Sequence, residues 1–179
     1  MRTEPLWVFG YGSLMWRPGF DFDERHRATL AGYSRAFCVR TIHHRGAPGQ
    51  PGLVMGLKPG VRCVGMVYRV NAAKAAAVSD YLRERELNHY PVYREAAVDL
   101  VLDDGRPVQA TTYLPRTDHP DYLPDLTLDE QLAIIRPAKG ISGTNPDYVR
   151  SAVDSVRALG LDEPALEAVA DALDPGRAS

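Results

Sequence analysis

Cysteine is nearly absent: Cys38 and Cys63 are the only two in 179 residues, and no Cys-x-x-Cys occurs. That spacing argues against a disulfide scaffold and against a cysteine-built zinc site, and both thiols read as reduced core residues. Charge of one sign is also missing. Lys and Arg number 21 against 23 Asp and Glu, a net charge of -2, with no run long enough to make a basic stripe or an acidic tail. Nucleic acid is therefore not an expected partner, and a small polar or zwitterionic molecule fits better. No apolar run approaches the roughly 18 residues needed to cross a bilayer, and no lipidation signal stands at either end. The opening Met1-Arg-Thr-Glu-Pro5 has neither the basic region nor the long apolar region of a signal peptide. The expectation is a cytoplasmic protein that does not bind membranes.

The length suits one compact domain over residues 1–179, closing in a mobile tail over 174–179. Leu6-Trp-Val-Phe-Gly10 reads as a short buried strand feeding a turn at Gly10-Tyr11-Gly12-Ser13, with a stop at Pro18-Gly19. A second extended stretch spans about 28–42, and the Gly/Pro-rich residues 46–52 must form an irregular loop. Residues 53–57 and 62–70 look like strands paired across Lys58-Pro59-Gly60. From Asn71, a good N-cap, the period changes to that of a helix reaching Glu86, with Val78, Tyr81 and Leu82 on one face. Two more strands, 96–102 and 108–114, flank the hairpin signal Asp103-Asp-Gly105-Arg. The last third is helical, with capping-box spacing at Thr127-Leu-Asp-Glu130, an N-cap at Asn145 before Pro146, and another at Asp162. The class is α+β, a curved and largely antiparallel sheet with helices toward the C-terminus.

Taken one at a time, the candidate chemical groups have plain readings. The glycine turn after the first strand offers consecutive N–H groups to an anion, yet Gly-x-Gly alone is common, and Trp16 and Arg17 break the dinucleotide and Walker patterns. Glu84 and Glu86 lie two apart, hence on different faces of a helix, and their run reads as a solvated ion-pair face. His43 and His44 are adjacent and the remaining histidines form no i, i+4 pair, so no metal is expected. Cys38 and Ser13 lack the sequence context of a nucleophile.

The blocks read together say more. Val8-Phe-Gly-Tyr-Gly-Ser-Leu-Met-Trp-Arg-Pro-Gly-Phe20 resembles the opening signature of the ChaC family of γ-glutamyl cyclotransferases. Residues 44–57, Arg85-Glu86-Leu87 and Gly140-Ile-Ser-Gly-Thr-Asn-Pro-Asp-Tyr148 resemble its later blocks, in family order. The resemblance implies a small mixed β-barrel with surrounding and C-terminal helices. It also implies a lyase that releases 5-oxoproline and Cys-Gly from glutathione without metal or cofactor. It places Tyr11, Gly12, Ser13 and Leu14 on the substrate turn, Glu86 as general acid and base, and Glu84 as a solvated neighbour. Arg45 and Tyr113 are expected to touch the far end of the substrate, and the protein is expected to be a monomer. Two alternatives stay open on the same fold: turnover of other γ-glutamyl amines or peptides, and a non-catalytic regulatory module.

Overall fold

The computed structural model describes residues 4–174 and 176, so most of the tail expected to be mobile lies outside the described residues. The chain divides into two compact units, one made of residues up to Ser34 with Pro59–Arg116, the other of Arg35–Lys58 with residues from Thr117 onward.

Five strands close a barrel in the order β1-β3-β2-β4-β5. They are β1 (Leu6–Gly10), β2 (Glu24–Thr41), β3 (Gly52–Val70), β4 (Tyr93–Leu102) and β5 (Pro107–Pro115), and β2 and β3 run on into the second unit. Strand β1 pairs antiparallel with β3, Leu6 opposite Val70 to Gly10 opposite Met66, and parallel with β5 through Val8 and Thr111. The parallel β1–β5 seam beside the antiparallel β1–β3, β2–β4 and β4–β5 pairs makes the barrel mixed. Closure removes the open edges that a five-stranded sheet would otherwise present. Val8, Phe9, Val67, Tyr68, Leu100 and Leu114 are buried here. The β4–β5 hairpin turns where its Asp-Gly signal stands, with Gly105 at φ 85°.

Two expectations change in this unit. Lys58-Pro59-Gly60 does not turn back; β3 continues through it as one strand. Residues 59–62 are exposed, and a Cβ on Gly60 would overlap Ser34 Oγ. A bare backbone therefore passes close to β2 where a turn was expected. The helix α1 (Ala75–Leu87) starts later than Asn71, whose Oδ1 instead accepts from the Ala73 N–H at 3.0 Å in the preceding turn. Its buried face is Ala75, Val78 and Leu82, while Tyr81 stays exposed.

In the second unit, α2 (Leu128–Ile135) opens on the capping box expected of Thr127 and Glu130. The short strands β6 (Lys139–Gly140) and β7 (Gly143–Thr144) lead into α3 (Asn145–Ala158), followed by α4 (Pro164–Leu173). Helix α3 buries Val149, Ala152, Val153 and Val156; α4 buries Leu166, Val169 and Ala170. The N-cap of α3 is Thr144, one residue before the one expected, because Asn145 spends its amide elsewhere: it gives to Leu53 O and takes from Leu53 N–H, each at 2.7 Å. Nor does Asp162 cap α4; Glu163 holds that position and turns its carboxylate to the buried guanidinium of Arg35.

Cys38 and Cys63 are buried and form no disulfide, and burial pushes the Cys38 thiol up to about 12. Among the described residues no helix is long and apolar enough to cross a membrane.

Candidate active site

The turn after β1 is short because β1 ends on a glycine: a Cβ on Gly10 would sit 2.7 Å from Leu14 Cβ. Ser13–Met15 then coil into one turn of 3-10 helix, with Met15 N–H on Gly12 O and Arg17 N–H on Ser13 O. Beneath it, the buried Tyr68 hydroxyl lies 2.8 Å from the carbonyl oxygens of both Leu14 and Met15, and Arg25 donates to Met15 O at 3.1 Å. Burial raises the Tyr68 pKa, against the nearby Arg25 charge, which keeps it a neutral donor.

From above, Arg85 of α1 spreads its guanidinium over the same segment. Nη1 donates to Arg17 O at 2.7 Å, Pro18 O at 3.0 Å and Tyr81 Oη at 3.1 Å, and Nη2 donates to Ser13 Oγ at 2.9 Å. Gly19, at φ 78°, makes room: a Cβ there would overlap Tyr81 Oη. A planar fork with five N–H donors suits such a cluster of oxygens, and lysine could not reproduce it.

Glu86 follows, with Oε1 3.2 Å from Arg85 Nε and its side chain 23% exposed. Loss of hydration raises its pKa above the ordinary glutamate value, and the Arg85 charge pulls the other way. Glu84 is exposed. A carboxyl whose proton is easier to keep stands here beside the arginine that holds the turn.

Tyr113, 3% exposed, stands on β5 directly opposite Glu95 of β4. Its carbonyl accepts from Tyr11 Oη at 2.6 Å, linking the turn to the sheet, and its own hydroxyl lies 3.4 Å from Glu95 Oε2. Burial raises the Tyr113 pKa most, followed by the charges of Glu95 and Glu86. Tyr11, Gly12, Ser13, Leu14, Glu86 and Tyr113 thus all belong to the first unit. An open cleft of about 710 Å³ in the same unit, walled by Trp7, Glu95, Gln109 and Thr111 among others, includes neither the turn nor Glu86.

Arg45 belongs to the second unit, where Nη1 donates to Thr144 O at 3.3 Å and the guanidinium lies over the Tyr148 ring. It is one rung of a ladder between two segments: His44 Nδ1 to Ser142 Oγ at 2.8 Å, Arg45 to Thr144, Leu53 to Asn145, and Met55 N–H to Tyr148 Oη at 3.0 Å. A Cβ on Gly140 would overlap His43 O, and one on Gly52 would overlap Arg45 O. The second and fourth sequence blocks are therefore packing partners, as are the first and third in the barrel unit.

Sequence reasoning missed Tyr68, the tethering role of Arg85, and the pairing of Glu95 with Tyr113. Tyr68 had only the strand alternation to mark it, and Arg85 stood out only as the neighbour of Glu86. Among the described residues, His26, Asp103 and Asp104 come within metal-ligand reach of one another, but Arg106 donates to Asp104 at 2.8 Å and both aspartates are exposed at the β4–β5 turn.

Residues 6–174 match the family model of the ChaC-like protein. The chain is 37% identical to the glutathione-specific γ-glutamylcyclotransferase of Escherichia coli K12, over 90% of this chain and 70% of that one. It is 33% identical to the Schizosaccharomyces pombe protein of the same name, over 86% and 84%, and 30% identical to the human glutathione-specific γ-glutamylcyclotransferase 1, over 95% and 79%. The crystal structure of a yeast γ-glutamyl cyclotransferase specific to glutathione superposes with a TM-score of 0.85, covering 97% of both chains at 22% identity, which establishes the fold. With the family model matched over residues 6–174 and a relative 37% identical over most of both chains, this chain belongs to the ChaC-like protein family.

Proposed function

We propose that this chain is a glutathione-specific γ-glutamylcyclotransferase, a lyase that converts glutathione to 5-oxoproline and Cys-Gly with Glu86 as its general acid and base. The names of its relatives support the reaction. One observation supports the site: a half-buried carboxyl with raised proton affinity stands beside the arginine that holds the turn after β1.

A γ-glutamyl amide contains its own nucleophile. The α-ammonium gives a proton to the Glu86 carboxylate, and the freed lone pair adds to the γ-carbonyl carbon, closing a five-membered ring and moving the carbonyl electrons onto oxygen. Collapse restores the C=O and breaks the bond to the cysteinyl nitrogen, which takes the proton from Glu86, and the same carboxylate then carries the ring nitrogen's second proton to the released amine. Over the cycle the ring nitrogen loses two protons and the cysteinyl nitrogen gains two, so water and redox partners do not enter the balance. The enzyme's task is geometric, since groups held in a reactive pose gain effective molarities of about 10⁵ M or more. The N–H groups of Ser13 and Leu14 open a helical turn, where the first donors have no partner within the helix, and they are suited to an oxyanion or carboxylate. Tyr11 and Gly12 shape that turn, and Tyr113 lies behind it.

The same proposal includes action as one domain over residues 1–179, as a monomer, in the cytoplasm; light scattering and limited proteolysis of the purified chain test the first two. For the reaction, wild type and Glu86→Gln are incubated with reduced glutathione, and 5-oxoproline and Cys-Gly are followed by mass spectrometry. Equal amounts of both products from the wild type, with at least a ~100-fold loss in the variant, are expected. No product from glutathione, but turnover of γ-glutamyl-alanine or γ-glutamyl-lysine, would overturn the substrate; equal product from both proteins would overturn Glu86.

A further inference from the structure

Glu95 and Arg83 form a pair that the proposed reaction does not use. Arg83 meets the carboxylate side-on, Nε to Oε2 at 2.8 Å and Nη2 to Oε1 at 3.0 Å, the bidentate geometry that holds both groups in one plane. The pair bridges α1 to β4, and the same Oε2 faces the Tyr113 hydroxyl at 3.4 Å, a long O–H···O separation between residues directly opposite on paired strands.

The geometry points to Glu95, oriented by Arg83, as a positioning residue that takes the Tyr113 hydroxyl proton and leaves that oxygen's lone pairs to accept from the substrate's α-ammonium, in place of the far-end contact expected of Tyr113. An ionised carboxylate can only accept, so the one proton between these two oxygens must be the phenol's. With that proton engaged, Tyr113 can only accept on its other side, and an ammonium is the matching donor. The charged groups facing Tyr113 are Glu95 from β4 and Glu86 and Arg83 from α1; Glu86 itself is faced by Arg85. The inference rests on the reaction proposed above.

The test is Glu95→Gln, Tyr113→Phe and the double variant in the full chain. The amide introduced by Glu95→Gln can donate to the phenol oxygen, freeing the phenol proton for Glu86 and stabilising its carboxylate. The expected results for Glu95→Gln are a roughly tenfold fall in kcat with KM less affected, and an acidic limb of the pH–rate profile moved to lower pH. In the Tyr113→Phe background, Glu95→Gln should change neither quantity, an outcome that a merely structural role would not give. An unchanged Glu95→Gln, or equal effects with and without the Tyr113 hydroxyl, overturns the inference while leaving the reaction intact. NMR of ring-labelled tyrosine reads the coupling without turnover: Glu95→Gln should lower the Tyr113 pKa, and an unmoved titration refutes the coupling even if glutathione proves not to be the substrate.

Discussion

Asn145 can be tested quantitatively because its whole side chain is committed. It is fully buried, and its two hydrogen bonds satisfy both backbone groups of Leu53, itself buried. Asn145→Ala leaves that N–H and C=O without a partner, at about 1–2 kcal/mol each, and with about 1 kcal/mol for the small cavity the total comes to about 3–5 kcal/mol. Against a typical total of about 5–15 kcal/mol this is a large fraction, equivalent to a fall in Tm of roughly 6–20 °C for a chain of this size. Urea titration with matched slopes is the assay. Thr144→Ala, which removes only the cap of α3, should cost about 1 kcal/mol and calibrates the scale. Asn145→Asp adds a sign: the new carboxyl can serve Leu53 O only when protonated, so its folded pKa must lie above the unfolded value near ~3.9. Its stabilising contribution is then complete below that value and is lost as pH rises through the folded pKa. A cost under ~1 kcal/mol for Asn145→Ala, or a pH-independent Asn145→Asp, would show that Leu53 finds other partners and would refute the reasoning.

Arg85→Met should remove the tether of the Ser13–Pro18 segment and the charge that holds Glu86 down. The expected outcome is a fall in kcat/KM of tenfold or more, with the acidic limb of the rate profile moved to higher pH, opposite in sign to Glu95→Gln. An unmoved limb would separate Arg85 from Glu86. Because burial pushes the Cys38 thiol up to about 12 and Cys63 is equally enclosed, a disulfide reagent at about pH 8 should leave both untouched in the folded protein and modify both in urea. Rapid modification of either in the native state would contradict its placement in the core.

The elements that local chemistry could predict are those whose signal is complete within a few residues. The Asp103–Arg106 hairpin needs a positive φ that Gly105 supplies, the Thr127–Glu130 capping box closes on itself, and the buried stripe of α3 repeats at helical spacing. The elements that were misplaced depend on something distant. Asn145 lost the cap to Thr144 because Leu53 claimed its amide, Asp162 lost it to Glu163, and Lys58-Pro59-Gly60 stayed extended beside Ser34.

The candidate site divides in the same way. The order and content of the motif blocks were enough to bring Glu86, rather than Glu84, and the Tyr11–Leu14 turn to attention, because those residues are adjacent in sequence to the groups that identify them. That the turn is clamped by Tyr68 from one side and Arg85 from the other, that Tyr113 faces Glu95, and that Arg45 binds Thr144 and Tyr148 could come only from the tertiary structure. Hydrogen bonds between residues about 50 to 100 positions apart leave no periodicity in the chain. Desolvation, which raises the proton affinity of Glu86, likewise exists only once the barrel and α1 have assembled around it.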